Sequence, residues 1–231
     1  GVMRKSDLTG SVGSVKSDVI QKQAISSFDQ GLQGKVAGVQ VMATSGSPGG
    51  VVDIRIRGGN SLTSGNQPLY VIDGYPVTAG GSAGGSGAGQ NPLATLNPGD
   101  IESMEILKDA SATSIYGSRG ANGVILITTK KGNSTGKRSI HFSTGLTFEK
   151  AFSLPQMQNS YGVSDVIDSW GEKESLEVHD NLNDFFRTGL TSMTSVSVSH
   201  GNENLQTYFS YANTTGRGII EGNKLKKHNI N

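Results

Sequence analysis

Between Leu96 and Gly132 the chain reads LNPGDIESMEILKDASATSIYGSRGANGVILITTKKG, a strand, a helix and a second strand joined by tight glycine turns. Asp100 is expected to cap a short turn ahead of a strand over Ser103–Leu107, in which Met104 and Ile106 alternate with Glu105 and Leu107. Asp109 is expected to cap a helix across Ala110–Tyr116, with Ala112 and Tyr116 one turn apart, and Gly117 to end it in a left-handed conformation. Gly123 then opens Val124–Thr129, a β-branched run that is apolar on both faces. Such a run fits a central strand covered on both sides. The block therefore calls for a mixed α/β body around a sheet.

Composition narrows the partners. The formal charge is +1 over 231 residues, so no global field argues for nucleic acid or an anionic surface. The absence of cysteine excludes a disulfide framework and a thiolate zinc site. Glycine occurs 33 times, about twice its usual frequency, which implies many turns. No apolar run approaches the ~20 residues of a membrane-spanning helix. Strands that cross a membrane need only ~9–11 alternating residues and stay possible. The opening residues lack a basic, then apolar, then small-residue order, and no signal peptide is expected among them.

Upstream of the block, residues 1–24 read as a polar linker with one short strand around Ser11–Val19. A helix is expected over Ser26–Val36, where Phe28, Leu32 and Val36 share a face, although Gly31 and Gly34 weaken it. Val39 and Val41, then Val51–Arg57, read as strands around the turn SGSPGG at Ser45–Gly50. Val52, Ile54 and Ile56 take one face of the second strand, and Val51, Asp53, Arg55 and Arg57 the other. Pro68–Ile72 is a short apolar strand ended by the Asp73-Gly74 turn signal. Ala79–Gln90, AGGSAGGSGAGQ, is a low-complexity loop.

After about Gly136 the pattern changes to long alternating strands. Ile140, Phe142, Leu146 and Phe148 oppose His141, Ser143, Gly145, Thr147 and Glu149. Val196 and Val198 oppose Ser195, Ser197 and Ser199; after a polar turn at Gly201–Asn204, Leu205, Phe209 and Tyr211 oppose Gln206 and Ser210. Periodicity alone favours a soluble antiparallel sheet over barrel strands. The long mixed segment Ala151–Gly189, with a helix near Asp180–Arg187, is unusual for a compact hairpin but fits a barrel's outer loop.

Motifs for catalysis are weak. Gly80–Gly84 fits G-x-S-x-G around Ser82, but it lies among Gly and Ser repeats rather than between a strand and a helix. GNSTGK at Gly132–Lys137 lacks the spacing of a phosphate loop. His141, His179, His200 and His228 are far apart in sequence, and Glu172 and Glu174 read as a solvated face. Lys224, Lys226 and Lys227 have no interleaved aromatics and read only weakly as a nucleic-acid patch. No enzyme, cofactor or metal is expected. Arg55 and Arg57 beside Asp53 leave two readings open, an ion pair on a wet surface or contact with a surrounding wall, and Arg119 is similar.

Several segments in one order resemble a single family. LQGKVAGVQV (Leu32–Val41), VDIRIRGGNSLTSGNQPLYVIDGYPV (Val52–Val77) and the Leu96–Gly132 block resemble the plug of TonB-dependent outer-membrane transporters, in the SusC/RagA branch. GVMRKSDLTGSVGSV resembles the segment just after the TonB box. LPQMQNSYG, SWG, DNLNDFFRTG and SVSVSHGNENLQTYFSYANTTGRGII resemble the first barrel strands and first outer loop.

The resemblance implies an α+β chain in three parts: a linker at 1–24, a plug at 25–135 with about four central strands, and first strands of a β-barrel at 136–231. It implies a gate inside a 22-stranded barrel of the cell outer membrane, reached from the periplasm. Its implied partners are TonB, through a box upstream of Gly1, a SusD-like surface lipoprotein, and a glycan or peptide substrate. The chain then reads as a piece of a longer transporter, unable to transport alone; a soluble binding or signalling module with a plug-like fold is the alternative. Under the gate reading Asn60, Ser61, Asn66, Ser82, Ser86 and Gln90 face substrate, and Arg55, Arg57 and Arg119 contact the barrel. Three structural expectations follow. Val39–Gly132 forms the ordered core. Val51–Arg57, Ser103–Leu107 and Val124–Thr129 lie side by side in one sheet. The strands after Gly136 pair with another copy or form an irregular appendage.

Overall fold

The computed structural model describes residues 12–21, 28–43, 46–50, 52–59, 66–77, 96–109, 113–133, 136–156, 158, 160–162, 171–173 and 180–231. Eleven strands fall into three sheets among these residues. The N-terminal body holds β1 (Val12–Lys16), α1 (Ser17–Gln21), β2 (Val39–Ala43), β3 (Val52–Ile56), β4 (Leu69–Ile72), β5 (Tyr75–Val77), β6 (Ile101–Leu107) and β7 (Val124–Thr129). Its main sheet has the order β1-β6-β7-β4-β5, with β4 parallel to β7 and the other pairs antiparallel. β7 is central, and Val124, Ile125 and Ile127 are almost fully buried, as its two-faced apolar run requires. The Asp73-Gly74 turn joins β4 to β5 with φ of 48° and 90°, the positive values a tight hairpin needs.

Two expectations fail here. β3 is not in the main sheet; it pairs with β2 as a separate antiparallel hairpin. The reason is edge occupancy. β7 already has β6 on one side and β4 on the other, and the outer edge of β6 is taken by β1. With no edge open beside them, β3 lays its apolar face over the sheet instead. Val52, Ile54 and Ile56 are buried in one cluster with Ile106, Ile125 and Ile127. The packing is so close at Gly123, where φ is +92°, that a Cβ would lie 2.8 Å from the Ile56 Cδ1. The buried core also begins upstream of Val39. β1 draws the opening segment into the sheet, and Val15, Ile20, Leu32 and Val36 join the same cluster.

The expected helices are shorter and tighter. Phe28–Leu32 is a single 3₁₀ turn, and Ser114–Gly120 is 3₁₀ helix broken at Gly117, whose φ of 59° pairs with ψ of −148° rather than a left-handed helical value. Glycines within each stretch limit longer α-helix. Residues 110–112 of the expected Ala110–Tyr116 helix lie outside the described residues.

The third sheet is a wall of four long antiparallel strands in the order β11-β10-β9-β8: β8 (Ser139–Glu149), β9 (Gly189–Gly201), β10 (Gln206–Arg217) and β11 (Lys224–Ile230). These strands pair with one another in regular register, which corrects the expected appendage or intermolecular pairing. The turn after β9 is tied by Asn202, whose Oδ1 accepts from the amides of Asn204 and Leu205 at 3.0 and 2.8 Å. The helix foreseen near Asp180 is α2 (Asn181–Phe185), with the Asp180 carboxylate accepting the Asn183 amide at 3.2 Å.

Candidate functional site

The wall has two unlike faces. Register places Phe142, Val196, Tyr211 and Ile230 in one cross-strand row, and Ile140, Val198 and Phe209 in the next. These large apolar side chains point away from the N-terminal body: Ile140 is 74% exposed, Phe142 65% and Phe148 70%. The opposite face carries small and polar residues, with Ser143, Ser195, Ala212 and Asn229 in one row. That face meets the body, and the seam between them is the candidate site.

Asp100 is its centre. The residue ends the 3₁₀ turn Pro98–Asp100 just before β6 and is 3% exposed. Asn97, not Asp100, caps that turn, its Oδ1 accepting from the Gly99 amide at 3.1 Å. The Asp100 carboxylate is thereby left to reach the wall. It accepts the Tyr208 hydroxyl at 2.9 Å and the Ser210 hydroxyl at 2.7 Å, both from β10. Beside it the Lys130 ammonium donates to the Gly99 carbonyl at 2.7 Å. Burial pushes the Lys130 pKa down, against the pull of Asp100 and Glu102. A cavity of about 40 Å³ remains between the turn and the wall, lined by residues including Asn97, Asp100, His141, Ser195 and Ser210.

Two further contacts complete the seam. At Gly132 the chain leaving β7 crosses the start of β10 backbone to backbone. A Cβ there would lie 2.7 Å from the Gln206 carbonyl carbon and from the Thr207 oxygen. The Gly136 amide then bonds the Gly201 carbonyl at 2.9 Å. At the other end, the tip of the β2–β3 hairpin touches the wall. The Asn223 side-chain amide donates to the Ser47 hydroxyl at 3.3 Å, and Pro48 lies against Gly216 and Gly218.

The residues singled out in sequence fall elsewhere. The Arg55 guanidinium pairs with Asp53 at 3.0 Å, and Gln67 donates to the same carboxylate at 2.8 Å. Arg57 pairs with Asp109 within the body. Arg119 is exposed on the Ser114–Gly120 helix and makes no ion pair among the described residues. Asn66 lies beside Gly59. Asn60, Ser61, Ser82, Ser86 and Gln90 lie outside the described residues. Asp100 was missed because its partners are 108 and 110 residues away in sequence. The one available signal was Ser210, already on the small polar face of its strand. Among the described residues no cluster of histidines and acids could hold a metal, and no helix is long and apolar enough to cross a membrane.

Comparison with known proteins gives this geometry a family. The TonB-dependent receptor plug domain model matches residues 4–124. The chain is 37% identical to the TonB-dependent receptor SusC of Bacteroides thetaiotaomicron, across 98% of this chain and 23% of that protein. It is 49% identical to a TonB-dependent receptor of Formosa agariphila, across 68% of this chain and 15% of that one. The chain thus spans about a quarter or less of these relatives. Among solved structures it superposes on the RagAB peptide importer in its closed-closed state with a TM-score of 0.75 and 30% identity, covering 92% of this chain and 27% of that one. A ferric enterobactin receptor from Pseudomonas aeruginosa, 19% identical with a TM-score of 0.52, shares the fold. The chain belongs to the TonB-dependent receptor family, as the plug region and first barrel strands of its SusC/RagA branch.

Proposed function

We propose that the chain is the gate and part of the wall of an outer-membrane importer for glycans or peptides, energised by TonB and covered by a SusD-like surface lipoprotein. The observation that carries this reading is the polarity of the wall. Its large apolar side chains face outward, while its small polar face takes the plug through Asp100. A soluble sheet would bury the apolar face, whereas a barrel presents it to lipid. The relatives named as TonB-dependent receptors and the likeness to a peptide importer support import as the activity. The seam suits a gate. It consists of a carboxylate with two hydroxyls, a backbone bond and a hairpin tip, with no large apolar cluster of its own, so it can open without dismantling either sheet. On this reading the polar loops carrying Asn60, Ser61, Asn66, Ser82, Ser86 and Gln90 face the substrate side, and Arg119 is free to meet further barrel strands.

The test is uptake by cells expressing the whole transporter, with labelled oligosaccharide and oligopeptide pools offered separately. One pool is expected to enter, and only while TonB is present. Uptake indifferent to TonB, or recovery of the protein in the soluble periplasmic fraction, would overturn the proposal. Replacing residues 79–90 with a short linker then tests the loop. Unchanged binding and uptake would remove it from the substrate path.

A further inference from the structure

The outward face of the wall is not uniformly apolar. Along β8 it stays apolar from Ile140 to Phe148, with Thr144 the exception. Across the sheet it turns polar at the Thr144–Thr194–Asn213–His228 row, and beyond that row, toward the β10–β11 turn, it becomes cationic. Phe148 and Leu190 share a row with Arg217 and Lys224, and Leu146 and Ser192 share the next with Thr215 and Lys226. Arg217, Lys224 and Lys226 are exposed, and none makes an ion pair among the described residues. The acids at this end of the wall are Glu221, in the turn itself, and Glu149, which pairs with Gly189 at the end of β8. An open groove of about 540 Å³ runs between the cations and the apolar side, lined by Leu190, Ser192, Thr215, Arg217, Lys224 and Lys226.

We infer that this groove holds the phosphate-bearing head group of an anionic outer-leaflet lipid, its acyl chain lying along Leu190, Phe148 and Leu146. The inference rests on the reading of the sheet as barrel wall. Three arguments carry it. A cation facing hydrocarbon at the bilayer centre is costly and becomes tolerable only near the interface. The Arg217–Leu190–Phe148 row lies eight residues along β10 from the apolar Phe209–Val198–Ile140 row, about 27 Å along the strand and about 20 Å in height at a barrel strand's tilt. That puts the cations at the rim of an apolar band ~25 Å tall. The rim is the outer one, because it carries the long β8–β9 connection, whereas the opposite end has the short turn 202–205. Finally, three uncompensated cations beside exposed leucine and phenylalanine match an amphiphile with an anionic head. A free anion would have no use for the apolar side.

The experiment is native mass spectrometry of the whole transporter, released from nanodiscs containing phosphatidylglycerol and phosphatidylcholine. The wild type is expected to retain phosphatidylglycerol. The triple variant Arg217→Gln, Lys224→Gln, Lys226→Gln should retain it about a hundred-fold less, each cation being worth roughly a factor of five at an anionic surface. Lys227→Gln, on the opposite face of β11, should leave retention unchanged. Equal retention by the triple variant, or displacement of the lipid by inorganic phosphate at matched concentration, would overturn the inference. A spin label at Phe142→Cys separates the two readings. If it is accessible to oxygen dissolved in lipid while the triple variant binds normally, the groove fails and the barrel wall stands. If it is not, both fall.

Discussion

Asp100 joins two sheets with one side chain, so its removal should uncouple them without unfolding either. Asp100→Ala deletes two charge-assisted bonds and takes the carboxylate acceptor away from the Tyr208 and Ser210 hydroxyls. The expected cost is about 3 kcal/mol at the seam. Hydrogen exchange should quicken at the amides of 97–101 and 208–210 while the centre of β7 stays protected. Uniform exchange across both sheets would mean that Asp100 supports the global fold instead. Gly132→Ala acts at the same seam by collision. Its methyl would meet the backbone of Gln206 and Thr207, which cannot rotate away, so loss of several kcal/mol is expected. Gly136→Ala, with nothing within 4 Å, probes the φ of +76° alone and should cost only about 1 kcal/mol. Tyr70 gives a pH signature. It is 1% exposed, and burial beside Asp29 and Asp53 raises its pKa far above the ordinary 10.0. The unfolded chain releases that proton near pH 10 and the folded chain does not, so the stabilising effect is complete below pH 10 and is lost as pH rises beyond it. The urea midpoint of the wild type should therefore fall relative to Tyr70→Phe above pH 10, and run parallel to it below.

At the scale of elements, the opening segment matters more than its sequence advertises. β1 is only five residues long, yet it occupies the outer edge of β6, and the α1 that follows buries Ile20 completely. Ile20→Ala should cost about 2–5 kcal/mol and loosen β1 with it, seen as protease cleavage between residues 12 and 21 in the assembled protein. An uncleaved variant would show that the edge pairing holds β1 without α1. β1 was legible as a short strand, but its place in the sheet was hidden, because VGSVK presents one deeply buried side chain, Val15, against a polar remainder. β3, β6 and β7 were legible because alternation or a two-faced apolar run reports burial directly. That same alternation does not say which edge a strand takes. Val52, Ile54 and Ile56 look identical whether β3 extends a sheet or lies across it, and only the capture of the β6 edge by β1 decides the matter. The wall strands were legible in period, and their inward row of serines announced a polar neighbour. The identity of that neighbour was hidden, since Asp100 reads locally as a helix cap and Gly132 as the end of a domain.

In the whole molecule the N-terminal body and the wall meet at separated points, and the hairpin tip is the one farthest along the wall from the Gly132 crossing. Ser47 and Pro48 touch the β10–β11 turn region, while Gly132 touches the start of β10. On the proposed reading, a plug held at both ends of a wall lets substrate pass only if one hold is released. The Gly132 crossing is covalently continuous with β8 through residues 133–139, so it cannot travel far. The hairpin tip has no such tether to the wall and is the hold that can yield. The chain contains no cysteine, so the pair Ser47→Cys and Asn223→Cys adds the only thiols within it. The native side chains meet at 3.3 Å, so the two positions face each other across the seam. Oxidised, the whole transporter should keep its substrate affinity and lose uptake; reduced, it should regain uptake. Each single variant should transport normally under both conditions. Full uptake through a quantitatively oxidised pair would mean that the tip stays on the wall during passage, and the opening would then have to lie at Asp100, between a fixed crossing and a fixed tip.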